Sequence, residues 1–239
     1  MKSKINVGDN ITTSSTNWTF SGKTAKNFTS HAVKSIPYYK DGHDLILEIS
    51  DYFLNKNSKV LDIGCSNGDL LNQLKNRHEN KKGLELVGID NEKDMVQVAK
   101  KKFKGINFFH KDADKFSFNK FKFDLIISYY TMQFIHPSIR QKIFDKIYKS
   151  LNWGGGFIIY EKVRGPDARF QDMQNGIYNE FKIKQGFTKD EIINKTISLK
   201  GVLEPFSKRG NEELFKRAGF KDFMVVHKWV CFQGWILIK

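Results

Sequence analysis

The chain has 239 residues, with 40 Lys and Arg against 26 Asp and Glu, a net charge of +14. That length suffices for one sizeable α/β core, and no run of 18 apolar residues offers a membrane span. Two cysteines and six histidines without ligand spacing give no sign of a disulfide framework or a metal centre, so the expected setting is a reducing cytoplasm.

The basic balance has two readings. It can mark a nucleic-acid partner, or it can follow from a chain rich in Lys, Asn, Ile and Phe together. Residues 1–17 are polar and rich in Ser, Thr and Asn, without the apolar stretch of a secretory signal. They are expected to be a flexible arm ending at Trp18. Residues 18–239 are expected to be one domain, with a helical cap over 18–56 and a helical insert over 164–200.

Within the cap, 23–34 reads as a helix with Ala25, Phe28, Ala32 and Val33 on one face, stopping before Pro37. The stretch His31 to Tyr39 is aromatic and polar at once. It is either a cap packed on the core or a lid over a ligand, with Tyr39 supplying a ring or hydroxyl. A second helix is expected over 44–54, with Leu45, Ile46, Ile49, Tyr52 and Phe53 forming its buried stripe.

Lys59 to Ile63 reads as a buried strand, Gly64 to Gly68 as a tight turn, and Asp69 to about Arg77 as a helix. A strand, a glycine turn and a helix start bring backbone N–H groups up to a ligand. Gly64 lets ligand and backbone approach closely. The next strand ends at Asp90, 22 residues after Gly68, near the spacing of about 20 for an acid that grips ribose hydroxyls. Asp90 also suits capping of the helix that follows, 92–103, in which Met95, Val96 and Ala99 share a side. Met95 either flanks an adenine or fills core.

Ile106 to His110 is a third strand, followed by Asp112 and Ala113. Asp112 can accept from an adenine amino group or serve as a turn aspartate. Phe123 to Tyr130 is a near-continuous apolar run, as a central parallel strand requires. A helix from Pro137 to Leu151 buries Ile143, Phe144, Ile147, Tyr148 and Leu151. Asn152 to Gly156 reads as a turn into a fifth strand, 157–160, with Glu161 at its end. Helices are expected near 170–181, 189–199 and 210–218, the last stopped by Gly219. Final strands are expected over 223–229 and 231–238.

The order Asp62-x-Gly64-x-x-x-Gly68, then Asp90, resembles the class I S-adenosylmethionine-dependent methyltransferases. Further motifs narrow the resemblance to the carboxy-S-adenosyl-L-methionine synthase family. They are Trp18-Thr19-Phe20, Ser35-Ile36-Pro37-x-Tyr39, Gly64-Cys65-Ser66, Ile89-Asp90-Asn91, Thr131-Met132-Gln133-Phe134, Asp145-Lys146-Ile147-Tyr148, Gly154-Gly155 and Ala218-Gly219-Phe220. The resemblance implies a Rossmann-like, seven-stranded, mostly parallel sheet with helices on both faces, and a homodimer. It places cofactor contacts at Tyr39, Gly64, Cys65, Ser66, Asp90, Asn91, Asp112 and Ala113, with Asp62, Gly68, Met95 and Tyr129 beside them. The family's reaction joins S-adenosylmethionine and prephenate into the carboxymethyl sulfonium used in tRNA wobble-uridine modification.

Two positions depart from the family. The arginine that pairs with the extra carboxylate, supplied across the dimer, is matched here by Thr196. An asparagine after the fourth strand is matched by Tyr129. A threonine offers neither the charge nor the fork of a guanidinium, and Lys195 or Lys200 would be a point-charge substitute. The expected function is therefore methyl transfer from S-adenosylmethionine to an unidentified small-molecule or tRNA-related acceptor. Carboxy-S-adenosyl-L-methionine synthesis is the alternative, and a non-catalytic cofactor- or RNA-binding protein a second. Tyr129, Tyr130, His136, Glu161 and His31 are weak candidates for a general base.

Overall fold

The computed structural model describes residues 5–9, 11–13, 18, 20 and 23–239, leaving undescribed the side chains of 12, 13, 23–27 and 119. In chain order the elements are β1 (Ile5–Asn6), β2 (Thr12–Thr13), α1 (Lys23–Ser35), α2 (Tyr39–Ser50), β3 (Lys59–Ile63), α3 (Asp69–Arg77), β4 (Glu85–Asp90), α4 (Lys93–Lys102) and β5 (Asn107–His110). There follow β6 (Phe123–Tyr129), α5 (Pro137–Ser150), β7 (Leu151–Lys162), α6 (Ala168–Lys184), α7 (Lys189–Ser198), α8 (Lys208–Ala218), β8 (Asp222–Trp229) and β9 (Phe232–Ile238).

Seven strands form one sheet in the order β5-β4-β3-β6-β7-β9-β8. β3 pairs in parallel with β4 and β6, and only β9 runs against its neighbours β7 and β8. Successive strand residues point to opposite faces, so each face has its own core. Val60, Leu125, Ile127 and Ile158 meet Leu71 and Leu74 of α3 and Val96 and Ala99 of α4. Leu61, Ile126, Phe157 and Ile159 meet Ile143, Phe144 and Ile147 of α5 and Phe215 of α8. Chain order reverses direction between β4 and β6 on either side of β3. That reversal opens a crevice at the carboxyl ends of the strands.

Three expectations about elements change. α2 starts at Tyr39, five residues before the expected start, and ends at Ser50, so Tyr52 is 87% exposed and outside the core. Gly42 inside α2 disfavours a helix by propensity, but a Cβ there would collide with the Tyr129 hydroxyl. The bare position lets that hydroxyl donate to the Tyr39 carbonyl at 2.7 Å. Asn152 to Gly156, expected as a turn, belongs to β7, whose register against β6 shifts between Phe123 and Leu125. Glu161 therefore lies within the strand rather than after it.

In the expected flexible arm, the described residues pair Ile5–Asn6 with Thr12–Thr13, and Val7 and Ile11 are buried with Trp18 against Leu199 and Val202. Apolar Val7 and Ile11 find a partner in the helical insert, which polarity of the arm as a whole did not suggest. The remainder of that arm, 1–4, 10 and 14–17, lies outside the described residues, as do Thr19 and the side chain of Ala25.

Candidate active site

A cavity of about 620 Å³ opens at the carboxyl ends of β3, β4 and β6. One wall is the glycine turn. Gly64, at φ +77°, would push any Cβ into Thr131, so the β3 and β6 ends approach as closely as they do only with glycine there. Ser66 sits at φ +52° and its hydroxyl donates to Met95 Sδ at 3.5 Å.

Four of the five amides of this turn, those of Gly64, Cys65, Ser66 and Gly68, are engaged within the protein. Those of Gly64 and Cys65 donate to the Ile89 carbonyl, at 2.8 and 3.0 Å, and that of Gly68 to the Cys65 carbonyl at 2.9 Å. The Ser66 amide donates to Asp90 Oδ2 at 2.8 Å. At these four positions the expected N–H groups are turned inward, and the turn presents a bare surface backed by one carboxylate.

Asp90 Oδ1 accepts the Glu92 amide at 2.8 Å, so its cap-like role and its place at the cavity coexist. Each oxygen keeps a further lone pair for a hydroxyl donor. Burial raises the Asp90 carboxyl to about 6, against the lowering by its two amides. Asp62, one strand over, is pushed up to about 8 by burial and by Asp90, and its Oδ1 has no hydrogen-bond partner among the described residues. Of the expected cofactor residues, Tyr39, Gly64, Ser66, Asp90, Asn91, Met95 and Tyr129 line the cavity.

The opposite wall comes from the end of β7 and the helical insert. Lys162 and Lys182 place their ammonium groups 4.6 and 4.4 Å from the centre of the Tyr178 ring. Lys195 lies against the Trp18 ring. All three line the cavity, and none makes a salt bridge among the described residues. Burial lowers each ammonium: Lys182 falls to about 8, with Lys162 adding to the effect, and Lys195 falls well below its ordinary value. Thr196 lines the same wall, its hydroxyl turned back to the Ile192 carbonyl at 2.9 Å.

Sequence reasoning named Lys195 but passed over Lys162 and Lys182. The signal was available: Lys162 ends an apolar strand, and Tyr178 and Lys182 stand four apart on one helix face.

Other expected site residues stand elsewhere. Cys65 is buried with its sulfur toward Gly88 of β4. Gly68, at φ +82°, caps α3 and abuts Phe108 and Ala99. Asp112 pairs with Lys115 at 2.7 Å and Ala113 packs on the α5 side core. Asp62 lies beneath the cavity wall.

Among the candidate bases, His136 is exposed and caps α5, accepting from the Ser138 amide at 3.3 Å. Glu161 is buried behind the cavity, and its Oε1 has no hydrogen-bond partner among the described residues; burial pushes it up to about 8 despite Arg140 and the nearby amides of Met132 and Gln133. Arg140 in turn donates to the carbonyls of Ile135 and Gln133, so the pair fixes the loop after β6. Tyr129 and Tyr130 line the cavity with hydroxyls held well above their ordinary range by burial. Neither is poised as a base at neutral pH. His31 lines the cavity too, beside Lys195.

The architecture and crevice are those of the S-adenosylmethionine-dependent methyltransferases, a class of enzymes. A family described as "Methyltransferase domain" matches residues 60–155. The plantazolicin methyltransferase BpumL, solved with a triazolic desmethylPZN analog and SAH, superimposes with a TM-score of 0.64 at 14% identity, covering 91% of each chain. The putative methyltransferase in complex with Haloferax volcanii Trm112 superimposes with a TM-score of 0.59 at 15% identity, covering 90% of this chain and 95% of that one.

Among curated relatives, the carboxy-S-adenosyl-L-methionine synthase of Campylobacter lari is 37% identical over 92% of this chain and 94% of its own. That of Staphylococcus epidermidis is 38% identical over 93% and 97%. The chain belongs to the carboxy-S-adenosyl-L-methionine synthase family.

Proposed function

We propose that this enzyme makes carboxy-S-adenosyl-L-methionine from S-adenosylmethionine and prephenate. The observation that carries the reading is the cavity's two unlike ends. One end is a bare glycine turn with the Asp90 carboxylate; the other holds one buried lysine, Lys182, and two half-buried ones, Lys162 and Lys195, without a carboxylate partner among the described residues. Burying unpaired ammonium groups is unfavourable, and a carboxylate-bearing substrate would relieve it. The near-full-length likeness to relatives named for that synthesis supports it over the simple methyl transfer expected from sequence.

S-adenosylmethionine, when bound, would supply a methyl group whose C–H is acidified by the sulfonium, while prephenate would supply the carboxyl carbon as CO2 on aromatising to phenylpyruvate, the hydroxide it loses leaving as water with the methyl proton. Asp90 would accept from the ribose hydroxyls, and Gly64 and Ser66 let the nucleoside lie against the main chain. Met95 and Tyr39 fit the remaining cofactor surface. Trp18, Phe20, Phe134 and Phe187 exclude water, which strengthens the attraction between the lysines and a substrate carboxylate. In place of the guanidinium that the family supplies across the dimer from the position of Thr196, several point charges of this chain would share one anion. Prephenate is a small molecule, so this step requires no RNA. A homodimer and a cytoplasmic setting belong to the same reading; the two free, buried cysteines suit a reducing compartment.

Methyl transfer to another acceptor is the second reading, favoured by Thr196 and by Tyr129 in place of asparagine. Mass spectrometry of the nucleotide after incubation with both substrates separates the two. A carboxylated sulfonium is expected. Demethylated nucleotide with methyl label on an added acceptor, and no carboxylated product, would replace this reading with the second.

A further inference from the structure

His31 occupies a position that neither the fold core nor cofactor binding explains. It is 6% exposed on α1, stacked on Trp18 and set edge-on to Phe187, with ring centroids 5.8 Å away in each case. Its Nδ1 lies 2.8 Å from Asp9 Oδ2, and Asp9 also accepts from Lys34 Nζ at 2.6 Å. A carboxylate can only accept, so Nδ1 carries the ring proton and Nε2 is left with a lone pair. That lone pair faces Lys195 Nζ at 3.3 Å, with the Ser35 hydroxyl at the same distance.

Asp9 reaches this spot because it sits at the tip of the β1–β2 hairpin at φ +51°. Val7 and Ile11, buried on either side, fix the tip. The hairpin thus extends the site by a chain of three groups: Asp9, His31, Lys195.

We infer that His31 is a positioning residue: Asp9 fixes its tautomer, and its unprotonated Nε2 holds the Lys195 ammonium on the cavity wall to receive a carboxylate of the second substrate. This rests on the carboxylate-substrate reading above. A lysine stem is flexible, and its ammonium is a point charge that many geometries satisfy. An acceptor behind it restricts the ammonium to one direction and supplies part of the order that a guanidinium fork carries in its own plane.

The test compares wild type with His31→Met, Lys195→Met and the double variant; methionine keeps volume and stays apolar. Each single variant is expected to raise KM for prephenate about tenfold or more, the size of a lost hydrogen bond to a charged group, while KM for S-adenosylmethionine stays within about twofold. The double variant should be no worse than Lys195→Met alone, because the two side chains act as one unit. His31→Gln, which keeps an acceptor, should recover part of the loss. Equal changes in both KM values, or additive losses, would mark a packing role and overturn the proposal.

A second readout uses malonate as the probe, with S-adenosylhomocysteine saturating. Malonate should raise the melting temperature of wild type and not of His31→Met or Lys195→Met. If wild type yields no carboxylated nucleotide but malonate protection still depends on both residues, the catalytic reading fails and the anion site stands. If product forms and malonate protects every variant alike, or none including wild type, the His31–Lys195 unit is refuted while the reading of the reaction survives.

Discussion

Gly64 and Asp90 divide the work of one ligand wall between a missing side chain and a present one. An alanine at Gly64 must adopt φ +77° and push Thr131 out of the β6 end. Gly64→Ala is therefore expected to lower stability by about 1–3 kcal/mol, the range for overpacking, and to weaken S-adenosylhomocysteine binding in calorimetry. Unchanged affinity would remove the close-approach argument. Asp90→Ala should abolish nucleoside binding more cleanly, because it deletes the acceptor for ribose and also frees the Ser66 amide; retained affinity by calorimetry would count against the ribose assignment.

Two buried groups set opposite limbs of the pH profile. His31 is lowered to about 4 by burial and then by Lys195, with Asp9 pulling the other way, from an ordinary 6.5. The unfolded chain takes up that proton first, so the contribution is present above about pH 6.5 and lost as pH falls toward 4. Glu161 is raised from 4.5 to about 8 by burial. Its contribution is present below about pH 4.5 and lost as pH rises through 8. Urea midpoints between pH 4 and 9, a range chosen to bracket roughly both windows, should show His31→Met flattening the acid limb and Glu161→Gln the alkaline one. A profile unmoved by either substitution would contradict the burial argument.

At the scale of elements, helices with an uninterrupted apolar side act as expected. α5 keeps Ile143, Phe144 and Ile147 fully buried, with the Phe144 ring 5.8 Å from Phe157 and 5.5 Å from Phe215. Phe144→Ala should destabilise by about 3–5 kcal/mol, the range for an aromatic removed from a core, measured by denaturant unfolding; a loss below about 1 kcal/mol would mean the site collapses around the void. That legibility has a physical source, since helix and strand periodicities report burial directly. The strand Phe123–Tyr129 and helices α4 and α5 were readable for this reason; Gly64 and Asp90, which line the cavity, were readable instead from the strand–turn–helix order and the acid at the next strand's end. The start of α2 was not, because Gly42 serves a contact 87 residues away along the chain, with Tyr129. The start of β7 was hidden by three glycines that read as a turn. Lys162 and Lys182 were missed because a lysine's ordinary place is solvent; the four-residue spacing of Tyr178 and Lys182 is legible, but only the fold turns that face to the cavity and brings Lys162 to it.

On the whole molecule, the cavity end of the sheet is flanked by α6, whose exposed residues include an apolar stripe beside the charged Arg169, Asp172 and Glu180. Phe170, Met173 and Ile177, spaced three and four apart, are 49, 54 and 43% exposed. Such a stripe on one helix face is the pattern of an association surface, and the proposed homodimer gives it an occupant: the same stripe of a second copy, related by twofold symmetry. Each copy carries a net charge of +14, so two copies repel at long range, and salt that screens beyond about 10 Å at 0.1 M should tighten their association. Sedimentation at low and moderate salt is therefore expected to show a dimer whose affinity rises with ionic strength. Met173→Asp should shift it to monomer without altering the circular dichroism, because a buried unpaired carboxylate at such a contact is unfavourable. A dimer unaffected by Met173→Asp would move the interface off α6, and a monomeric wild type at every salt concentration would remove the homodimer altogether.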